Sequence, residues 1–125
     1  MSSLHRVAFA VFATTFAACR HEAPAQTPPA VESVTAGADG RVSIAVDDRG
    51  YHPSVVRAAP GRALTLVFRR ADALNCGEKV RFPSLHIERD LPVGQSVEIA
   101  VTVPASGQIG FSCGMNMYRG SVVAN

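Results

Sequence analysis

The chain has 125 residues, of which 47% are hydrophobic, and its 12 basic and 10 acidic side chains give a formal net charge of +2. This length fits a single folded domain, and the balanced charge, without a basic block, argues against a nucleic-acid partner, which would require clustered positive charge. The sequence contains no Gly-x-Ser-x-Gly elbow, no His-Glu-x-x-His pair and no phosphate-binding glycine loop, so we expect a protein that is not an enzyme.

Residues 1–18 have the layout of a signal peptide. A short basic start precedes an uncharged run, Val7 to Ala18, which is shorter than the roughly 20 residues that a membrane-spanning helix needs. The run ends in Ala17-Ala18-Cys19, which is similar to a bacterial lipoprotein box, although Phe16 stands where Leu is usual. We therefore expect lipidation at Cys19 and an exported, periplasmic or cell-surface lipoprotein. The alternative is an ordinary cleaved signal next to an unmodified cysteine.

Residues 19–40 are rich in Ala, Pro and Thr, and this composition predicts a flexible tether. Residues 41–125 instead carry short β-rich runs separated by Gly and Pro, and no stretch keeps a helical period for three turns. The predicted strands are Val42–Val46, Leu64–Phe68, an irregular strand at Val80 to Leu85, Val97–Val103, Gly107–Phe111 and Ser121–Val123. This pattern predicts an all-β domain built as a sandwich or barrel.

The segment Cys113-Gly114-Met115-Asn116-Met117 places one thiol and two thioethers at alternate positions. Alternate residues of an extended or bent backbone point the same way, so the three sulfurs can converge on one point. Sulfur ligands select soft metals such as Cu(I). Methionine also fills gaps in hydrophobic cores, but two Met beside a Cys in a glycine-containing turn favour a metal site.

A second thiol, Cys76, lies far enough upstream to come from another strand or loop. Outside the cytoplasm, thiols tend to pair. Cys76 and Cys113 therefore form a disulfide, share a metal, or do both at different times.

Other potential ligands carry a weaker signal. Glu78 is a hard ligand that matches Cu(I) poorly, and we expect it to be an orienting or surface group. His52 and His86 are expected to be surface residues beside strands, because a lone histidine carries little specificity.

Between about Arg41 and Val123 the chain carries a set of short motifs. They are Gly50-Tyr51-His52-Pro53, Gly61 before a Leu/Val/Phe strand, Phe68-Arg69-Arg70 leading to Cys76, Leu91-Pro92-Val93-Gly94-Gln95, and Phe111 to Gly120. With these motifs the chain resembles cupredoxin-like domains. It is most similar to the subgroup found as membrane-anchored Cu(I) chaperones and as domains of copper-exporting P-type ATPases, and more weakly to the EfeO-type domain of iron uptake. The resemblance implies a Greek-key β-sandwich or barrel of about seven strands.

In the Cu(I) subgroup, two Cys and two Met bind copper in a binuclear arrangement. Carried over, the resemblance implies that Cys76 and Cys113 supply thiolates, that Met115 and Met117 supply thioethers, and that one Cys sulfur bridges two Cu(I) ions. Electron-transfer cupredoxins use two His, one Cys and a weak Met. Here the last ligand loop has no His, and Cys76 replaces the upstream His.

The sequence thus predicts an exported, lipid-anchored protein that binds and transfers Cu(I) in copper homeostasis. Its expected partners are the copper ion, the membrane, and a copper-exporting ATPase or another copper protein. Two alternatives remain open. One is an electron-transfer cupredoxin, and the other is a metal-free β-sandwich that is stapled by a disulfide and binds a protein.

Overall fold

The computed structural model describes residues 31–125. The predicted signal peptide, the predicted lipidation site Cys19 and most of the predicted tether lie outside the described residues. No helix in the described part of the chain is long and apolar enough to cross a membrane.

Strands dominate residues 31–125. They are β1 (Ser33–Thr35), β2 (Arg41–Asp47), β3 (Gly50–His52), β4 (Val55–Ala58), β5 (Ala63–Arg70), β6 (Lys79–Phe82), β7 (Ile87–Asp90), β8 (Ser96–Thr102), β9 (Gln108–Cys113) and β10 (Arg119–Ala124), with one 3-10 turn at Pro83–Leu85. A six-stranded sheet has the order β1-β4-β10-β9-β6-β7, and a four-stranded sheet has the order β3-β2-β5-β8. The chain is therefore an all-β sandwich of mixed sheets, as the sequence predicted.

The longer strands form because their apolar residues alternate. In β2, Val42, Ile44 and Val46 are buried while their neighbours face solvent or are partly covered. The strand β5 has the same pattern and lies between β2, to which it is parallel, and β8, to which it is antiparallel. A period of two places one face of each strand on the core, so the register of the sheet is fixed by the hydrophobic pattern.

Aromatic rings from both sheets meet in the core. The rings of Phe68 and Phe111 lie edge to face at 5.6 Å between centroids, and Tyr51 contacts both. The ring of Phe82 completes this aromatic group and contacts the rings of Phe68 and Phe111. Edge-to-face geometry is favoured by the ring quadrupoles, so this group holds the two sheets together near the end of β9.

Residues 31–125 form ten strands, whereas the resemblance to cupredoxin-like domains implied about seven. The additional strands are short and lack a clear alternation. The strand β1 lies within the segment predicted as a tether, and all of its side chains are exposed. It is held by backbone pairing with β4, in which Ser33 is level with Val55. Just beyond it, the Ala36 N–H donates to the Arg57 carbonyl at 2.8 Å.

The strands β1, β4 and β10 all run in the same direction, and Val55 is level with both Ser33 and Ser121. Because β9 is antiparallel to β10, the loop that joins them lies at the end of the sheet where β1, β4 and β10 begin. The strand β6 also begins at this end, since its Val80 pairs with Cys113 at the end of β9.

Candidate metal centre

The position of Cys113 follows from the alternation in β9. Ile109, Phe111 and Cys113 occupy every second position and are all buried, with Cys113 fully enclosed. Its side chain therefore points into the sandwich at the last residue of the strand. The backbone leaves the sheet immediately afterwards, so Cys113 lies at the boundary between the core and the loop.

The loop of residues 71–78 carries Cys76 between β5 and β6. Side chains within the loop shape it: the Leu74 N–H donates to Asp72 Oδ1 at 2.6 Å, and the Gly77 N–H donates to Asn75 Oδ1 at 2.9 Å. Such Asx contacts fold the backbone locally without a regular element. They turn the chain so that Cys76 lies half-buried against the end of β9.

Gly77 is tightly enclosed beside Cys76. A Cβ atom at this position would overlap Val46 Cγ1 and lie 2.9 Å from Asn75 Oδ1. Only glycine lets this loop approach the buried face of β2 so closely. The contact between Gly77 and Val46 therefore fixes how close the neighbouring Cys76 lies to the core.

The structure brings the two thiols together. A hydrogen bond joins the Cys113 and Cys76 thiols, with 3.7 Å between the sulfurs, although the residues are 37 positions apart. The Tyr118 N–H donates a second hydrogen bond to Cys113 Sγ at 3.3 Å. Both cysteines are free rather than disulfide-bonded.

The two thiols differ in acidity. Burial raises the pKa of Cys76, and its hydrogen bond to Cys113 adds to this effect, while the Tyr118 hydroxyl opposes it. Burial also acts to raise the pKa of Cys113, but backbone N–H groups of Tyr118 and Met117 outweigh it. With the Cys76 thiol as a further donor, the pKa of Cys113 is lowered below its ordinary value. Cys113 is therefore the more acidic thiol of the pair.

Met115 and Met117 lie in the loop that joins β9 and β10, and their side chains are 72% and 70% exposed. The backbone there is a tight turn rather than an extended strand, because the Asn116 N–H donates to the Cys113 carbonyl at 2.9 Å and Asn116 has a φ of 57°. Two exposed thioethers thus follow a buried thiol. Exposure at this level is unusual for core-filling methionine.

Basic side chains hold the same loop. Arg81 Nη1 donates to the Gly114 carbonyl at 3.5 Å, and Arg119 Nε donates to the Asn116 carbonyl at 3.4 Å. These contacts come from the strands on both sides of β9. They fix the turn while leaving the methionine side chains free to reach outward.

The predicted weaker ligands lie apart from the thiol pair. His52 points to the outside of β3, where its ring nitrogens contact Glu32 Oε2 at 3.2 Å and Asp47 Oδ1 at 3.1 Å. His86 is exposed, and it follows the 3-10 turn at the opposite end of β6 from Cys76. Glu78 is exposed two residues after Cys76. Within residues 31–125, no three His, Cys, Asp or Glu side chains form a metal-binding cluster.

Two tyrosines surround the thiol pair, and sequence reasoning gave neither of them a role. Tyr51 is buried, and its ring lies edge to face with that of Tyr118 at 6.1 Å. Tyr118 is half-buried and packs over Gly50. The motif Gly50-Tyr51-His52-Pro53 could have drawn attention to Tyr51. The strand β3 has only three residues, however, which is too few to predict which side chain faces inward.

The donor set matches a soft monovalent metal. Two thiols meet at one end of the sandwich, and the two methionines begin two residues beyond one of them. Thiolate and thioether ligands suit Cu(I), whereas a blue-copper centre requires two imidazoles. The residues present therefore fit Cu(I): the fold brings Cys76 and Cys113 together as potential ligands, and Met115 and Met117 are potential soft donors in the adjoining loop.

Comparison with known proteins points to copper. The family model described as the cupredoxin-like domain matches residues 6–124. The metal-binding domain of the Cu(I)-exporting P-type ATPase CopA of Streptococcus pneumoniae D39, solved with Cu(I), is similar to this chain, with 30% identity and a TM-score of 0.69. That match covers 76% of this chain and 97% of the CopA domain.

Two further structures share the fold. A copper-binding protein solved in its apo form by NMR has 25% identity and a TM-score of 0.66, over 76% of this chain and 99% of its own. Reduced auracyanin from Roseiflexus castenholzii has 16% identity and a TM-score of 0.53, over 71% and 99% respectively, which shows a common fold alone. No curated protein sequence matches this chain significantly.

Proposed function

Because the chain belongs to the cupredoxin-like domain family, we propose that it is a copper-binding protein that takes up Cu(I) through Cys76 and Cys113 and passes it to a partner. In this proposal Met115 and Met117 supply thioether ligands, and the protein is a carrier in copper homeostasis rather than an enzyme. The copper ion is its cargo.

The observation that carries the proposal is the thiol pair with exposed methionines next to it. Cys76 and Cys113 lie 3.7 Å apart between their sulfurs, and Met115 and Met117 are among the few large apolar side chains that face solvent. Two neighbouring cysteines provide strong soft ligands once they are ionised to thiolates. Neutral thioethers on the surface are weaker ligands and can be exchanged one at a time, which suits transfer of the ion.

The similarity to the CopA domain supports both the ion and the type of partner. That domain was solved with Cu(I) and belongs to a Cu(I)-exporting ATPase. For this chain we infer a partner of the same kind, namely a copper-exporting ATPase or another protein that accepts Cu(I). The ligand set of the partner must be soft as well, because the ion would otherwise remain on the thiolates.

Anaerobic titration of the reduced protein with Cu(I), in the presence of a competing chelator, tests the proposal. We expect tight binding of Cu(I), weak binding of Cu(II) and no intense blue colour, because the thiol pair has no imidazole ligand of the blue-copper type. Weak Cu(I) binding in this competition would refute the proposed function, and a deep blue Cu(II) form would support the electron-transfer alternative.

The lipid anchor is a separate part of the proposal. The basic start, the apolar run and Ala17-Ala18-Cys19 support lipidation of Cys19 and an exported protein. We expect the mass of protein extracted from membranes to correspond to a chain that begins at an acylated Cys19, and we expect Cys19→Ala to release the protein from the membrane fraction. A soluble product cleaved at another position would contradict the anchor but leave the copper site unaffected.

A further inference from the structure

Tyr51 has a buried hydroxyl that no hydrogen bond satisfies within the described residues. The side chain is only 3% exposed, and its Oη has no hydrogen-bond partner in that part of the chain. A buried polar atom without a partner is costly, and most such atoms in folded proteins are paired. Phenylalanine would pack equally well at this position, so the hydroxyl calls for a reason other than packing.

Three aromatic rings fix the position of Tyr51. Its centroid is 5.0 Å from that of Phe111, 5.8 Å from that of Phe68 and 6.1 Å from that of Tyr118. Phe111 shares the inward face of β9 with Cys113, two residues away, and Tyr118 donates its backbone N–H to Cys113 Sγ. The ring is therefore held in the wall of the thiol site.

The surroundings of the Tyr51 hydroxyl favour its protonated form. Burial raises the pKa of Tyr51, and negative charge on Cys113 and Cys76 raises it further. The hydroxyl therefore keeps its proton at neutral pH and is available as a donor to an anionic acceptor.

Cu(I) binding changes which acceptors are present. Without metal, the two thiols are joined by a hydrogen bond, with 3.7 Å between the sulfurs. A metal ligand must be a thiolate, so Cu(I) binding would release the thiol protons to solvent and remove the thiol–thiol hydrogen bond. Two metal-bound thiolates then lie beside one unused donor.

We propose that the Tyr51 hydroxyl donates a hydrogen bond to a cysteine thiolate of the Cu(I)-loaded site and thereby increases the affinity for Cu(I). Tyr51 is thus a positioning residue: it contacts a ligand rather than the ion. Groups that hydrogen-bond metal ligands hold them in the binding geometry and tune their donor strength. The unpaired hydroxyl of the metal-free protein is the cost of having that donor in place in advance. This inference rests on the proposed Cu(I) site.

The test compares Tyr51→Phe with the wild-type reduced protein by anaerobic Cu(I) competition. We expect roughly 10-fold weaker Cu(I) binding, the size of effect typical for a partner of a metal ligand. We also expect the metal-free variant to be as stable as the wild type or more stable in denaturant, because an unsatisfied hydroxyl has been removed. Ile99→Val, a core change on β8, is the matched control: it should lower stability and leave the affinity unchanged.

A spectroscopic readout separates a hydrogen bond from packing. Cu(I) is diamagnetic, so the Cζ resonance of tyrosine can be followed by NMR, and Tyr51→Phe assigns it because the chain has only two tyrosines. We expect the Tyr51 Cζ shift to change on loading with Cu(I).

Equal affinity in Tyr51→Phe would overturn the inference, and so would an affinity loss without a Cζ shift, which would assign the effect to packing. A large loss of stability with unchanged affinity would show that the hydroxyl serves the fold. If the wild type itself binds Cu(I) weakly, the proposed function fails with the inference. If only the variant comparison is negative, the inference fails alone.

Discussion

Replacing either Cys76 or Cys113 with serine is expected to weaken Cu(I) binding by more than about 100-fold, beyond the loss typical for residues that only support a ligand. The two sulfurs lie 3.7 Å apart, so both can contact one ion, and each supplies a negative charge once ionised. A serine hydroxyl is hard and stays protonated at neutral pH. Met115→Ile and Met117→Ile each remove a neutral, exposed thioether and should cost about 10-fold or less.

Affinities from anaerobic competition with a chelator check this ranking. His52→Ala and His86→Ala serve as controls that should change little, since His52 contacts Glu32 and Asp47 and His86 is exposed beyond β6. Equal losses at the four sulfur positions would contradict the ranking, and a loss at a histidine as large as at a cysteine would indicate a different ligand set. Because Cys113 is fully buried, the unfolding of metal-free Cys113→Ser must be measured as well, to separate loss of a ligand from loss of the fold.

Oxidation of the thiol pair is expected to abolish Cu(I) binding reversibly. The sulfurs need to approach by about 1.7 Å from their 3.7 Å separation to reach the length of a disulfide bond. The two sulfurs then lose two electrons to the oxidant and both thiol protons to solvent, and no thiolate remains for the metal. We expect air-oxidised protein to bind Cu(I) weakly and to recover full affinity with reductant.

The converse experiment tests whether bound copper protects the two thiols from chemical modification. Thiolates held by Cu(I) are not free to react, so loading should protect Cys76 and Cys113 from alkylation. The disulfide should also raise the stability of the metal-free protein by roughly 3–4 kcal/mol, since it closes a loop of 37 residues. Unchanged Cu(I) affinity in protein whose mass shows the disulfide would mean that the two thiols are not the metal ligands.

Much of the fold could be predicted because its long strands carry their own pattern. The alternation of Val42 to Val46 and of Val97 to Val103 reports burial directly, and the structure has β2 and β8 there. The short strands gave no such signal. The strand β1 has three exposed side chains and exists only through backbone hydrogen bonds to β4, which no residue pattern indicates.

The sequence could predict the chemistry of the two thiols but not how close together they lie. The sequence identified Cys76 and Cys113 as residues that pair or share a metal. Their proximity, however, depends on the pairing of β6 with β9 and on the close contact between Gly77 and Val46. Both join residues that are far apart in the sequence. The sequence predicted an extended or bent backbone from Cys113 to Met117, and the structure has a turn there, with Asn116 at a φ of 57°. The role inferred for Tyr51 could not be predicted, because whether a hydroxyl is buried and unpaired depends on the folded structure.

The direction of β1 determines which end of the domain the predicted tether joins. Ser33 is level with Val55, and Val55 is level with Ser121, so the chain enters the sheet at the end that carries the loop of Met115 and Met117. With the proposed lipid anchor at Cys19, the tether would join the domain at the end that carries the proposed copper site, and the 13 residues from 20 to 32 would limit the distance between Ser33 and the anchor to about 45 Å. Such a tether would keep the proposed copper site near the bilayer, so that copper exchange with sites close to the membrane plane would be favoured.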